Sequence, residues 1–214
     1  MRRIETEAHL VEGLDALVAA DPRLVPIRAF AAEVPLRRTR AGFASLASVI
    51  VSQQVSRASA DAIFGRLTQL VHPLEPETLL AAGEQALIDA GLSRAKQRAL
   101  VAVAGAARDG TLDFDALCLV EAAEAIARMT EIPGIGPWTA EVYLLVAAGH
   151  PDVFPARDVA LQAAVAHGFG LDARPDARSL AEMAESWAPL RAVAARLFWA
   201  YYRQMKGREA APLP

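Results

Sequence analysis

The amino-acid sequence predicts an all-α fold, and three observations support that prediction. Strict alternation of apolar and polar residues, which marks a half-buried strand, is nearly absent from the 214 residues. Alanine, leucine, arginine and glutamate dominate the composition, and all four favour helices. Proline and glycine recur at short intervals, where they end one helix before the next begins. We therefore expect many helices connected by short loops.

Apolar periodicity places a candidate helix in almost every segment of the chain. The candidate helices cover residues 6–20, 22–33, 42–53, 56–71, 84–90, 94–108, 121–129, 137–148, 158–169, 176–187 and 189–206. The residues between them are typical helix breakers, namely Asp21-Pro22, His72-Pro73, Gly91, Gly110, Pro133-Gly134, Pro151, Pro155, the 168–170 turn and Pro189. Three segments, around residues 53, 135 and 155, depart from this simple helix–loop pattern.

Composition and cysteine usage exclude several classes of protein. Hydrophobic residues make up 54% and charged residues 22%, yet no apolar run is long enough to cross a membrane. The N-terminal segment turns acidic at Glu5, so it lacks the apolar core of a secretory signal. The single cysteine, Cys118, excludes an internal disulfide framework and a four-cysteine zinc or iron–sulfur site. We therefore expect a soluble, cytoplasmic protein without a membrane partner.

The net charge of −3 is unusual for a nucleic-acid-binding protein, which is normally basic. Basic residues cluster in two places, at residues 37–40 and 94–98, while acidic residues concentrate in 121–131 and 172–185. The run that contains Arg37, Arg38 and Arg40 is interpreted as a solvated charge run and is left out of the site. A small footprint of backbone amides and a few cations still permits DNA binding.

The segment Ile132–Ala140 contains two glycines, Gly134 and Gly136, on either side of Ile135. Glycine lets another backbone or a phosphate approach closely, and Pro137 is a favourable first helical residue. The amides of the helix start, with the positive end of the helix dipole behind them, attract an anion. An ordinary helix–helix turn would also use glycine and proline, but the whole string favours phosphate binding by Gly134, Ile135, Gly136 and Thr139.

This hairpin resembles the helix-hairpin-helix of the base-excision DNA glycosylases that form the HhH-GPD superfamily. The Phe154-Pro155…Asp158 segment that follows, and the upstream Ser52–Ser56 and Gly91–Lys96 segments, are similar to the same family. The resemblance covers about residues 42–205, and as a set the motifs are specific. It implies a glycosylase that binds damaged double-stranded DNA and needs no cofactor, and a monomer is the default expectation for an enzyme that must embrace duplex DNA. It also implies that backbone carbonyls of Ile132 and Gly134 hold a Na⁺ or K⁺ ion.

Asp158 is the predicted catalytic carboxylate. Cleavage of an N-glycosidic bond builds positive charge on the sugar, which a nearby carboxylate stabilises while it orients the attacking water. Asp158 follows a proline-containing loop at a predicted helix start, so the alternative is that it only caps that helix. Both roles are compatible. Asp152, six residues earlier in a turn, is the competing acid, and the resemblance favours Asp158.

The resemblance also indicates the type of reaction. Family members that nick the DNA backbone carry a lysine early in the second hairpin helix, which forms a Schiff base with the sugar. Trp138 occupies that position here, and the chain's two lysines, Lys96 and Lys206, are distant in sequence. A monofunctional enzyme is therefore expected. The tryptophan is typical of the 3-methyladenine DNA glycosylase II (AlkA-like) branch, in a compact form without its extra N-terminal domain.

Aromatic side chains favour electron-poor alkylated bases by stacking and cation–π attraction. Trp138, Trp199 and Phe43 are the candidate pocket residues. Core packing is the better explanation of Trp199 taken singly, as it is of Phe198 and Tyr202, and only the resemblance favours Trp199 for the pocket. Val142 stands where the family prototype has a pocket tyrosine, and Tyr143 is expected to face elsewhere. Substrate range is therefore expected to differ from that of the prototype.

Two adjacent amides, Gln53 and Gln54, interrupt a long hydrophobic helical stretch, and either is a candidate DNA wedge. Such a side chain fills the gap left in the base stack by an extruded nucleotide. Gln54 matches the family's intercalating position. The alternative is a polar pair that caps the ends of adjacent helices.

We therefore expect two helical lobes with the flipped base in a cleft between them. Residues 43–150 form the central lobe, with the helix-hairpin-helix at about 121–148, and residues 1–42 with 151–214 form the second. The predicted activity is hydrolytic removal of alkylated bases of the 3-methyladenine type, which leaves an abasic site. A uracil or mismatch glycosylase of the same fold and a non-catalytic DNA-binding module remain alternatives. An α-helical protein–protein adaptor is a third alternative, which only the acidic net charge favours.

Overall fold

The computed structural model describes residues 3–207, and this part of the chain is helical with no strand. The α-helices are α1 (Glu7–Ala20), α2 (Val25–Ala31), α3 (Phe43–Ser52), α4 (Arg57–Leu70), α5 (Pro76–Asp89), α6 (Arg94–Arg108), α7 (Phe114–Leu117), α8 (Ala122–Thr130), α9 (Pro137–Tyr143), α10 (Val159–Gly168), α11 (Ala177–Ala184) and α12 (Arg191–Lys206). The predicted all-α class is confirmed. Among these residues no helix combines the length and the apolar character needed to cross a bilayer.

The described residues divide into two compact units. The central unit comprises residues 39–148, and the terminal unit comprises residues 3–38 with 149–207. The ends of the chain that the sequence assigns to the second lobe, residues 1–2 and 208–214, lie outside the described part.

The central unit contains α3 to α9 and is built around α3. All residues of α3 from Ser45 to Val51 are buried, which a helix needs when neighbours cover every side. It packs against α4, α6 and α9, and α8 pairs with α9 to form the helical hairpin. Burial of α3 on all sides thus fixes the helix that leads directly into the Gln53-Gln54 segment.

The terminal unit contains α1, α2 and α10 to α12 and is built around α12. The helix buries every residue from Ala192 to Tyr201 and packs against α1, α2 and α10. Trp187, just before α12, lies against Phe154 and Phe198 with ring centroids 5.4 and 5.2 Å apart. Its indole N–H donates to the buried Asp21 carboxylate at 3.1 Å. This aromatic core supports the loop that precedes α10.

Four predicted helices need correction. The helix predicted at 84–90 is the second part of α5, and a further helical part from Pro76, not predicted, precedes it across a kink at Gly83, whose φ of 74° is not helical. The one predicted at 22–33 opens as a 3₁₀ turn and ends at Ala31, and the one at 176–187 also ends in a 3₁₀ turn. The one predicted at 137–148 is α-helical to Tyr143 and then a π-helical turn, while the short α7 was not predicted. Local sequence pattern does not encode these changes of helical pitch.

Candidate active site and DNA-binding hairpin

The hairpin between α8 and α9 is held by its own backbone. The Ile132 N–H donates to the Met129 carbonyl at 3.2 Å, and the Ile135 N–H donates to the Ile132 carbonyl at 3.0 Å. Ile135 is buried and anchors the turn from inside, whereas Gly134 and Gly136 are exposed on either side of it. The arrangement presents backbone rather than side chains at the tip of the hairpin.

The two hairpin glycines meet different surroundings. Gly134 has φ of 90°, and a Cβ there would lie 2.5 Å from the Ala99 Cβ of α6. Gly136 has φ of −96°, and a Cβ there would have nothing within 4 Å. Gly134 is therefore required by the fold, since both its backbone conformation and its contact with α6 exclude a side chain. Gly136 is not required by the fold, and its open surroundings leave room for a ligand to approach.

The start of α9 combines a bare cap with a buried threonine. Gly136 is the N-cap residue and supplies no side-chain cap, and Pro137 takes the first helical position. Thr139 is only 2% exposed, and its Oγ1 accepts a hydrogen bond from Gln53 Nε2 at 2.8 Å. The Thr139 hydroxyl is thus engaged inside the central unit, so any phosphate contact at this residue belongs to its backbone amide.

The segment Gln53–Val55, which we call the wedge loop, connects α3 to α4. Gln53 is tied down through Thr139, whereas Gln54 is exposed and adopts a left-handed conformation with φ of 55°. A non-glycine residue in this region is strained by about 1–2 kcal/mol. Val55 is 39% exposed, and Ser56 caps α4 by accepting from the Ser59 N–H at 3.2 Å. Of the two predicted wedge candidates, Gln53 is held by its hydrogen bond to Thr139, whereas the side chain of Gln54 is exposed to solvent.

Asp158 is the N-cap residue of α10 and is 7% exposed. Its Oδ1 accepts from the Ala160 N–H at 2.9 Å and from the Leu161 N–H at 3.1 Å. These amides and the helix dipole stabilise negative charge on the carboxylate. The capping role proposed as the alternative is therefore present, and both hydrogen bonds fall on the same carboxylate oxygen.

Gln162, one turn after Asp158, is a buried polar residue that the sequence analysis missed. Its Nε2 donates to the Ala156 carbonyl at 2.9 Å, and the Asp158 N–H donates to the Pro155 carbonyl at 2.8 Å. Together these bonds close the loop that leads into α10. A glutamine four residues after a capping aspartate is the signal that could have identified this brace.

The competing acid, Asp152, is committed to an ion pair. Its two carboxylate oxygens accept from Arg191 Nε at 2.7 Å and from a terminal nitrogen of the same guanidinium at 2.9 Å. The hydrogen bond from Arg191 to Asp152 raises the pKa of the Arg191 guanidinium. Asp152 thus joins the turn after Pro151 to the start of α12, which is a structural task.

The predicted aromatic residues occupy different environments. Trp138 is partly exposed at the start of α9, and Phe43 is buried where it lines a surface pocket of about 670 Å³ in the central unit, with Phe114 nearby. Trp199 is 1% exposed on α12, and its indole N–H has no hydrogen-bond partner among the described residues. Tyr143 accepts from the Gly42 N–H at 3.1 Å, so it is used in the core of the central unit. Their assignment to a base pocket stays a prediction.

Comparison with known proteins agrees with this geometry. A model of the HhH-GPD superfamily of base excision DNA repair proteins matches residues 47–189. The chain is 32% identical over 200 residues to a Mycobacterium tuberculosis protein named "Probable bifunctional transcriptional activator/DNA repair enzyme AlkA". That match covers 88% of this chain and 39% of the relative, so the chain spans about two fifths of the relative's length.

Solved structures give the same result. The DNA-3-methyladenine glycosidase from Bacillus halodurans is 33% identical, has a TM-score of 0.74, and is matched over 97% of this chain and 94% of its own. The Schizosaccharomyces pombe 3-methyladenine DNA glycosylase, solved with abasic DNA, shares the fold with a TM-score of 0.81 at 24% identity, over 90% and 95% of the two chains. The matched family segment contains the wedge loop, the hairpin and Asp158. The chain therefore belongs to the HhH-GPD superfamily of base excision DNA repair proteins.

Proposed function

We propose that this protein is a monofunctional DNA glycosylase that hydrolyses the N-glycosidic bond of alkylated bases in duplex DNA. The observation that carries the proposal is the buried Asp158 carboxylate, fixed by two helix amides inside the segment that matches the family. The relatives' names, which include 3-methyladenine DNA glycosylases, favour alkylated bases as the substrate class. The proposed products are a free base and an abasic site.

In this mechanism Asp158 supplies the negative charge. As the bond from C1′ to the base breaks, the sugar becomes cationic, and a carboxylate already held in place stabilises that cation without reorganising. Water then adds at C1′ and loses a proton, for which Asp158 is the proposed acceptor. Because α10 fixes the orientation of the carboxylate, its charge is available before the substrate arrives.

No amine nucleophile is part of the mechanism. Lys96 Nζ donates to the Val51 carbonyl at 2.7 Å, and Lys206 is the last residue of α12. Trp138 occupies the position at which lyase members of the family carry their lysine. We therefore expect the DNA strand to remain intact after the base is released.

The hairpin and the wedge loop are the proposed DNA contacts. We propose that backbone amides around Gly136 and at Thr139 bind a phosphate, and that the carbonyls of Ile132 and Gly134 would hold a monovalent cation, which would supply positive charge at the hairpin. Gln54 is the proposed wedge because it is exposed, whereas Gln53 is hydrogen-bonded to Thr139. No cofactor is needed for hydrolysis.

Trp138, Phe43 and Trp199 remain the proposed base-stacking residues. The buried indole N–H of Trp199 lacks a hydrogen-bond partner among the described residues, and an acceptor on a bound base would remove an unsatisfied-donor cost of about 1–3 kcal/mol. We further propose that the protein acts as a monomer in the cytoplasm on damaged double-stranded DNA.

The test is base release from duplexes that each carry one lesion. Duplexes with 3-methyladenine or 7-methylguanine should lose the base and leave an intact strand that breaks only in alkali. Release from uracil-containing or mismatched duplexes, with none from alkylated ones, would assign a different substrate class. Strand breakage without alkali would contradict the monofunctional mechanism, and binding without release of any base would leave only a DNA-binding module.

A further inference from the structure

Lys96 is an unusual lysine because it lies inside the central unit. It is 8% exposed on the first turn of α6, and its Nζ donates to the Val51 carbonyl at 2.7 Å. Burial lowers the pKa of the Lys96 ammonium, because desolvation disfavours the charged form. The residue bonded to it is 45 positions away along the chain. A buried ammonium is unfavourable unless its hydrogen bond stabilises another part of the fold.

The position of Val51 in α3 indicates what the hydrogen bond from Lys96 stabilises. Val51 lies in the last turn of α3, where backbone carbonyls lack partners within the helix. The preceding carbonyls are covered locally: Ser52 Oγ donates to Val49 at 2.8 Å, and the Gln53 N–H donates to Ile50 at 3.2 Å. Lys96 covers the Val51 carbonyl, and its cation at the C-terminal end of α3 also complements the helix dipole. Lys96 is thus the distant cap of the helix that ends at the wedge loop.

The same part of α6 also contacts the hairpin. Ala99, one turn after Lys96, abuts Gly134, and Gln53 of the wedge loop bonds to Thr139 in the helix that follows the hairpin. The wedge loop is therefore fixed from α6 through Lys96 and from α9 through Thr139. Gln54 follows the two anchored residues, Val51 and Gln53, in a strained left-handed conformation, which only a well-supported backbone maintains.

We propose that Lys96 is a positioning residue that holds the wedge loop in register with the phosphate-binding hairpin. It contacts neither DNA nor the reacting atoms, and it acts by presenting Gln54 to the base stack. This inference rests on the proposed role of Gln54 as the wedge.

The experiment uses a duplex that contains a stable abasic-site analogue opposite 2-aminopurine. The fluorescence of 2-aminopurine reports whether a side chain enters the stack beside it, and titration of the same duplex gives the affinity. Lys96→Met and Gln54→Ala should each lose most of the fluorescence change of the wild type. They should also weaken binding about three- to tenfold, the effect of one weakened contact. Lys206→Met, which removes the other lysine on the exposed end of α12, is the matched control and should behave as the wild type.

The double variant decides the mechanism. If Lys96 acts through the wedge, Lys96→Met combined with Gln54→Ala should lose no more affinity than Gln54→Ala alone. Additive losses would overturn the proposal, because they would show that Lys96 acts elsewhere. If Gln54→Ala alone has no effect, the wedge role and this inference both fail, while base release by the wild type would still support the glycosylase.

A rescue keeps the test independent of folding. In a Cys118→Ser background, Lys96→Cys is alkylated with 2-bromoethylamine while unfolded and is then refolded, which restores an ammonium at nearly the original length. Recovery of the fluorescence change, beyond that of the unalkylated variant, is the expected result. Failure to recover it in a refolded protein with wild-type unfolding behaviour would contradict a positioning role for the ammonium.

Discussion

At the scale of single residues, the hairpin glycines show how the fold and the ligand make separate demands on one residue type. Gly134 satisfies the fold, through its left-handed φ and its contact with Ala99. The fold does not require glycine at position 136, because neither its φ nor a contact excludes a side chain there, and a Cβ would have nothing within 4 Å. Two glycines that look equivalent in the sequence should therefore respond differently to the same substitution.

Gly134→Ala should lower the free energy of unfolding by about 2–4 kcal/mol, because it adds backbone strain to an overlap with α6. Gly136→Ala should change stability by less than about 1 kcal/mol and weaken binding of an abasic-site duplex about tenfold, because the methyl group occupies the space proposed for phosphate. Urea unfolding and fluorescence anisotropy measure the two effects. Wild-type affinity in Gly136→Ala would exclude the hairpin as a phosphate site.

In the wedge loop, too, two neighbouring residues of one type should respond differently to substitution. Gln54→Gly removes the proposed wedge but relieves the strain at φ of 55°, so stability should stay unchanged or rise by up to about 1 kcal/mol while base release slows at least about tenfold. Gln53→Ala should instead cost about 1 kcal/mol of stability, because it removes the hydrogen bond to Thr139. Thermal unfolding and single-turnover base release distinguish the pair. Slower release from Gln53→Ala alone would reverse the assignment.

At the scale of elements, α10 both carries and aims the proposed catalytic group. Asp158 caps the helix, and Gln162 on the next turn holds the loop through the Ala156 carbonyl. Gln162→Leu leaves that carbonyl buried without its donor and should lower the rate of base release about three- to tenfold, with a smaller change in DNA affinity. Rates under single-turnover conditions, compared with binding titrations, separate the two. An unchanged rate in a folded variant would show that the brace is dispensable.

The turn between α1 and α2 gives the terminal unit an acid-sensitive element. Hydrogen bonds from Arg23, and a further one from Trp187, lower the pKa of the Asp21 carboxyl below its ordinary value of 3.8. Because the folded-state pKa is depressed, the stabilisation is present above pH 3.8 and is lost as the pH falls through the lower folded-state value. Asp21→Asn should reduce stability at pH 7 and flatten its loss below pH 4 in urea titrations. An unchanged acid profile would remove Asp21 from the account.

The elements also show what the sequence could and could not predict. Periodicity located most helices, and the hairpin and the Asp158 cap were predictable because their signals are local. Lys96–Val51 and Asp152–Arg191 were not, since each pair joins residues about forty positions apart and depends on helix packing. The first part of α5, from Pro76 to the kink at Gly83, was not predicted. Pairing across the fold, rather than local pattern, decides which polar residues support the site.

At the scale of the whole molecule, the net charge of −3 gives little long-range attraction for DNA, and several arginines are already paired with carboxylates. Arg57, Arg128, Arg178 and Arg191 each pair with a carboxylate. Arg98, in contrast, is exposed on α6 beside Ala99, and the described residues include no carboxylate partner for it. Binding should therefore depend on few cations and on backbone amides.

Binding should consequently depend weakly on salt. We expect affinity for duplex DNA to fall with a log–log slope of about −2 to −4, which corresponds to a few neutralised phosphates. Arg98→Ala should make the slope shallower by about 1, whereas Arg178→Ala, which removes an exposed paired arginine, should leave it unchanged. Titrations between low and physiological salt test this, and a slope as steep as about −8 would contradict an amide-based footprint.

The central claim is that Asp158 performs the chemistry and does not only cap α10. Single-turnover base release from a duplex with one alkylated purine tests it most directly, with Asp158→Asn, Asp158→Ser and Asp152→Asn compared. Asparagine and serine keep an oxygen that caps the helix, so both Asp158 variants should fold and bind yet release the base about 10²–10³-fold more slowly. Asp152→Asn should lose stability with its ion pair to Arg191 but keep its rate within about threefold. Base release by Asp158→Asn at the wild-type rate would contradict the account.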